Sequence, residues 1–367
     1  MSDGVYPSYY VKDWNYIMRR LNTLWLHHVA RLVAGLLLVL FACKAPETDD
    51  VTTNAHEGSE SVGWLESLDP RFDSLVSPDA RIEVLAEGFT WSEGPVWIDE
   101  GSYLLFSDVP ENTAYKWSES DGLQEFLKPS GDTGFATGGQ EGSNGLTLDS
   151  EGRLVLFQHG DRRVARLATS LAEARPEFET IASHFEGRRF NSPNDGTYRS
   201  DGSLYFTDPP YGLEDSSKTE LGFYGVYRVA TDGSVTLLTD ALSRPNGIAF
   251  SQDEQTVYVA NSDPGRAIWM QYNVRPDGSI DEGRLFFDAT KWTGERPGLP
   301  DGLKVDKQGN VFATGPGGVL VFDPSGAHLG TIRLSVPSAN CAFGGDGSTL
   351  YITAQKYLLR VPLLTSG

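Results

Sequence analysis

Cysteine is nearly absent from this 367-residue chain: Cys43 and Cys341 are its only two. So sparse a supply excludes a disulfide framework and any zinc site built from several thiolates. Basic residues are scarce as well, with 30 Lys and Arg against 50 Asp and Glu and a formal net charge of -20. Nucleic acid, whose phosphates demand a basic face, is therefore excluded as a partner, and so is an electrostatic grip on anionic lipid. The most apolar stretch, "LVAGLLLVLFA" from Leu32 to Ala42, stops well short of the ~20 residues of a membrane span. No Gly-x-Ser-x-Gly elbow occurs, which removes the serine nucleophile of one large class of hydrolases. What the chain has in quantity is 40 Gly, 20 Pro and 11% aromatics. That mixture favours many short strands joined by tight turns over long helices.

The first 43 residues read as a leader. Arg19, Arg20 and Arg31 precede the apolar run, and the acidic stretch "KAPETDDVTTNAHEGSE" follows it. This is the layout of a secretory signal. The run closes on "LFAC", which is similar to a bacterial lipoprotein cleavage site with Cys43 as the lipidated residue. Residues 1–43 are accordingly expected to be a signal, 44–79 an acidic linker and 80–367 the folded domain. The protein would be exported to the periplasm or held at the envelope, touching membrane only through a lipid anchor. Cys341, in "SANCAFGG", reads as an inert core thiol.

A repeat organises the rest. Six stretches share one pattern: "WSEGPVWIDEGSYLLFSD", "GSNGLTLDSEGRLVLFQH", "SPNDGTYRSDGSLYFTD", "RPNGIAFSQDEQTVYVANS", "LPDGLKVDKQGNVFATG" and "SANCAFGGDGSTLYITA". Each gives a polar residue, a strand, an acidic or Gly-containing turn and a second strand rich in Leu, Val, Tyr and Phe. The polar residues are Glu93, Asn144, Asn194, Asn246, Asp301 and Asn340, a recurrence of about 50 residues that is typical of propeller blades. The expected fold is all-β, a six-bladed β-propeller of four-stranded antiparallel blades. The last repeat is short of strands, whereas "ARIEVLAEGF", Ala80 to Phe89, precedes the first. This N-terminal strand is expected to close the ring as the outer strand of the sixth blade.

In such a ring the innermost strands line the axis, so the six polar residues surround one channel mouth. Antiparallel second strands end at the same mouth, bringing Asp108, His159, Asp208, Ser262, Thr314 and Thr353 nearby. Turn chemistry accounts for the Asn-Gly pairs but poorly for Glu93. One Glu, one Asp and several Asn form an all-oxygen donor set that suits Ca²⁺, which tolerates irregular geometry. Zinc would want His or Cys, and His159 is the sole histidine at the mouth. "EGRRF", Glu186 to Phe190, and "GPGG", Gly315 to Gly318, read as a solvated loop and a tight turn.

The stretches "SEGPVW", "NSPNDG" with "LYFTDPPYG", "RPNGIAF", "LPDGLKVD" and "CAFGG" together resemble the gluconolactonase/regucalcin family of six-bladed propellers over about residues 80–361. The resemblance implies a divalent-metal site at Glu93, Asn194, Asn246 and Asp301. It implies an acidic residue beside the metal at Asp208, and substrate-binding or catalytic positions at Asn144 and His159. The implied activity is hydrolysis of a sugar lactone, with Ca²⁺ as Lewis acid, His159 or Asp208 as proton acceptor, and Asp301 joining catalysis as a ligand. Asn144, Asn194 and His159 would contact the substrate, and Tyr211 of "DPPYGL" is placed to wall the pocket. Two alternatives share this frame: a phosphotriesterase on the same metal site, and a propeller that binds a ligand without chemistry.

Overall fold

The computed structural model describes residues 62–135 and 138–367; the expected signal, the lipidation site at Cys43 and most of the acidic linker lie outside them. Six antiparallel sheets form the blades, five of four strands and one that carries a fifth, with a two-stranded ribbon, His184–Phe185 and Arg188–Arg189, beside them. The first is Ser92–Ile98, Tyr103–Asp108, Thr113–Ser118 and Gly122–Leu127, from the axis outward. Innermost strands of the next four begin at Ser143, Gly196, Pro245 and Leu303. The sixth sheet is assembled from both ends of the domain: Asn340–Gly344, Thr349–Ala354 and Tyr357–Pro362 are completed by Glu83–Glu87, which pairs with Tyr357–Pro362. The six-bladed propeller and its closing strand are thus as the repeat implied.

The core is divided into six clusters, each lying between two neighbouring blades. Ile98, Leu105, Leu146, Leu156 and Leu167 fill the gap between blades one and two; Phe89, Leu104, Phe106, Tyr351 and Leu358 fill the gap between six and one. A blade in a ring has a neighbour on each face, so its second strand is buried on both sides. This is why Tyr103–Asp108, Leu204–Asp208 and Val311–Gly315 are buried at every position. Cys341 belongs to the cluster between blades five and six, with burial pushing its thiol up to about 12. It is the inert thiol expected.

Two readings need correction. The stretch read as linker extends too far: Gly63–Ser67 adds a fifth strand to blade five by pairing with His328–Leu334. It is followed by the single helical turn Pro70–Asp73, started by Asp69, whose carboxylate accepts from the Arg71 backbone N–H. Phe72, Leu75 and Val76 then enter the cluster between blades five and six. Acidic composition concealed an apolar triplet that buries itself, worth ~1.5–3 kcal/mol for each large side chain removed from water.

The second correction concerns Asn-Gly. Asn246 and Gly247 lie inside the strand Pro245–Phe250, not in a turn. A side-chain carbon on Gly247 would fall 2.2 Å from the carbonyl oxygen of Asp301, on the next blade. One on Gly94 would meet the Asn144 carbonyl at 2.1 Å, and one on Gly145 the Asn194 carbonyl at 2.8 Å. Glycine follows the polar residue because the inner strands approach backbone to backbone around the axis.

Candidate active site

A cavity of about 480 Å³ opens at the channel mouth where the inner strands begin, and Glu93, Asn144, Asn194, Asn246 and Asp301 line it from five successive blades. Each is fixed by its strand. Asn194 N–H donates to Thr207 O at 2.9 Å, and Asp301 N–H donates to Thr314 O at 3.0 Å. Glu93 Oε2 accepts from the Gly94 N–H at 2.9 Å. Tyr211, on the loop after the second strand of blade three, also lines the cavity. Its phenol is held in the neutral form by burial and by the neighbouring Asp301 charge.

The electrostatics of this group are set by carboxyls buried close together. Burial, with the charge of Asp195 beside it, pushes the Glu93 carboxyl up to about 7. Asp301 is raised well above the ordinary carboxylate range by burial and by Glu93 and Asp195. Like charges crowded into a dry pocket resist ionising together unless a cation is supplied. Asn194 provides the second sign: its Oδ1 is buried without a hydrogen-bond partner. An orphaned carbonyl oxygen in a native fold calls for an explanation, and a role in holding an ion is one. Among the described residues no three His, Cys, Asp or Glu side chains form a metal cluster; the set here is two carboxylates and two carboxamides, which fits a hard, oxygen-seeking divalent ion.

The sixth ring residue does not join. Asn340 is turned along the channel, its Nδ2 donating to Asp195 Oδ2 at 3.2 Å and its Oδ1 accepting from Cys341 N–H at 2.9 Å. Lys304 Nζ approaches the same Oδ1 at 3.4 Å and lines a separate cavity with Lys307 and Asp346. Asp195 is a buried third carboxyl that the sequence reading missed. Its signal was present, since "NDG" inserts an acid into the polar-Gly order that four of the other inner strands keep.

Neither candidate base from the second strands lines the cavity. Asp208 is fully buried, and both its oxygens are used: Oδ1 accepts from Ser192 N–H at 2.7 Å, and Oδ2 from the Asn191 N–H at 2.8 Å and Nδ2 at 2.9 Å. Asp108 does the same in blade one, accepting from the Thr90 and Trp91 N–H groups at 3.0 Å. In blade four Asn261 Oδ1 accepts from Arg244 N–H at 2.8 Å. In these three blades the residue therefore ties down the loop that leads into the inner strand. His159 is also fully buried, and burial drives its pKa down to about 3. Its Nε2 lies 3.4 Å from Asn194 Nδ2, while Nδ1 has no hydrogen-bond partner. The imidazole stands behind a cavity residue, where it can hold the carboxamide with its oxygen free.

The "EGRRF" stretch, expected to be a solvated loop, turns between the short strands His184–Phe185 and Arg188–Arg189 with Glu186 and Gly187 exposed. Arg188 and Arg189 are spent elsewhere, on Leu221 O, Asp161 O and the neighbouring acids. The guanidiniums that line the cavity belong to Arg244 and Arg296.

Residues 91–356 match the family described as the SMP-30/gluconolactonase/LRE-like region. The chain belongs to this family. A gluconolactonase from Zymomonas mobilis is 37% identical over 350 residues, covering 92% of this chain and 97% of that one. A pentonolactonase from Haloferax volcanii is 27% identical, covering 71% and 80%. Among solved structures, a gluconolactonase from Xanthomonas campestris superposes with a TM-score of 0.72 at 31% identity, covering 83% of this chain and 98% of that one.

Proposed function

We propose that this lactonase, a carboxylic ester hydrolase, opens a sugar (aldono-) lactone at the channel mouth, with a divalent cation, most fittingly Ca²⁺, held by Glu93, Asn194, Asn246 and Asp301. The observation that carries the reading is the meeting of two mutually repelling buried carboxyls with the unpartnered Oδ1 of Asn194. A bound cation there supplies Lewis acidity toward the lactone carbonyl. Four blades contribute one oxygen donor each, so the set is preorganised by the ring and needs no loop closure.

The chain's own residues do the remainder. Of Asp208, His159 and Asp301, only Asp301 faces the cavity, and it is placed to accept the proton of the attacking water. Water adds to the carbonyl carbon, the ring C–O bond breaks, and the proton held at Asp301 passes to the departing alkoxide oxygen. An alkoxide is far more basic than a carboxylate, so the return of that proton is downhill. Asn144 is positioned to hydrogen-bond sugar hydroxyls, and Tyr211 bounds the pocket and keeps bulk water from the reacting ester.

Turnover of five- and six-membered aldonolactones by purified protein tests this. Hydrolysis above background that stops on chelation supports the proposal. Inert lactones alongside turnover of an organophosphate triester would move the assignment to a phosphotriesterase, and binding without turnover of either to a non-catalytic propeller. We further propose that residues 1–43 direct export and that Cys43 carries a lipid anchor.

A further inference from the structure

Arg244 and Arg296 sit in the cavity of a chain dominated by acids, and neither guanidinium makes an ion pair among the described residues. Arg244 ends the loop into blade four, two residues before Asn246. Its backbone is clamped from both sides: its N–H donates to Asn261 Oδ1, and its carbonyl accepts from Ser262 N–H at 2.9 Å. The nearby Asp263 is committed to Ser243 Oγ and to Gly265 N–H. Arg296 lies on the crossover loop between blades four and five, five residues before Asp301. Its guanidinium stacks on Trp292 at 4.3 Å. Pro297 beside it is anchored through its carbonyl, which accepts from Gly317 N–H at 2.7 Å. Burial, and then Arg333 beside it, lowers the Arg296 pKa, while the charges of Glu66 and Glu295 oppose the shift without forming an ion pair to it. A stacked, rigidly based guanidinium beside another cation gains most from an anion.

We propose that these two arginines form an anion-binding arm of the active-site cavity, so that the preferred substrate is a sugar lactone carrying a second, anionic group, a carboxylate or a phosphate, remote from the lactone carbonyl. The proposal rests on the lactonase reading of the same site. Both arginines approach from the Asn246 and Asp301 side, while Glu93 and Asn144 line the cavity from blades one and two. A volume of about 480 Å³ accommodates a six-carbon lactone with its charged end outside the ligand set. Forked donors left unpaired by a neutral substrate discriminate against it, because their desolvation is not recovered.

The test compares kcat/KM for a neutral aldonolactone, the monolactone of an aldaric acid and a 6-phosphorylated aldonolactone. Each is measured on the full protein and on Arg244→Gln, Arg296→Gln and Arg244→Lys. The expected result is a preference of about tenfold or more for one charged lactone over the neutral one. That preference should fall to within about twofold in either Gln variant and return in part with Lys. Which charged lactone wins distinguishes carboxylate from phosphate. Thermal melts establish that each variant is folded, so the ratio reads recognition and not stability. Equal turnover of neutral and charged lactones, or Gln variants that slow all three alike, overturns the proposal while the lactonase reading stands. If none of the three is hydrolysed, both readings fall.

Discussion

Asp301 carries two duties in this account, ligand and proton acceptor, and substitution can separate them. Asp301→Ala should lose cation affinity and turnover together. Asp301→Asn keeps an oxygen donor but not the basicity, so turnover should fall by roughly 10²–10⁴-fold while calorimetry shows a weaker loss of cation binding than with Ala. His159→Gln should behave differently. The buried ring, with its pKa near 3, stays neutral at working pH and acts only by holding Asn194. Turnover should drop less than about tenfold, with no change in the shape of the pH–rate profile; loss of a neutral-pH limb would restore His159 as the base. The residue types of the ring were legible because each stands at the start of a repeat. The direction of a side chain at the end of a second strand was not. His159 comes one position after Gln158, the residue that pairs with Ser143, and that single step sends it behind the cavity wall. Arg244 and Arg296 were missed for a related reason, since nothing in "SRPNG" or "GERPG" says that the arginine side chain turns inward.

The inner strand is the element that decides whether the four donors can meet. Gly247→Ala forces a methyl against the Asp301 carbonyl, backbone that cannot yield without moving the ligand. A cost of ~1–3 kcal/mol in stability and a weaker cation site are expected together, read by thermal melts and calorimetry on one preparation. Asp208→Ala strips the loop before Asn194 of an acceptor for three donors. It should destabilise by ~1–3 kcal/mol, the cost of leaving buried donors unsatisfied, with the surviving folded protein still able to turn over lactone. At this scale the sequence was a good guide to strands and a poor one to ends. The alternation of turns and apolar runs marks every blade, whereas Phe72, Leu75 and Val76 sit in too short a segment to announce a packed element. Phe72→Ala should cost ~3–5 kcal/mol, as for a large aromatic in a closed core. A negligible effect would mean that the first strand and turn are dispensable.

The whole molecule couples its ligand site to its stability through pH. Glu93, Asp208 and Asp301 have raised pKa values in the fold, so the folded state binds more protons than the unfolded one above about pH 4. Their contribution declines as pH rises toward 7. His159 and His328, lowered to about 3 and about 4, oppose this over the interval up to about pH 6.5, where the unfolded state holds the extra proton. Three acids outweigh two imidazoles, and only the acids still act close to pH 7. Cation-free protein is therefore expected to melt at a higher temperature near pH 5 than near pH 7.5. Added Ca²⁺ should raise the melting temperature more at pH 7.5, because the cation competes with protons for the ligand carboxyls and fewer protons are available there. The ring and its closing strand were readable at this scale from spacing alone. Six divided cores, a third buried carboxyl on the axis and two unpaired arginines were not, since each depends on contacts between blades far apart in sequence.

Aldonolactone hydrolysis by protein stripped of metal with a chelator, followed by titration of Ca²⁺ back into it, tests the central claim most directly. The account predicts negligible turnover in the stripped protein and recovery that saturates at one equivalent of cation. The same titration on Asp301→Ala should recover nothing. Full lactone hydrolysis by the stripped protein, unaffected by added cation, would contradict the account.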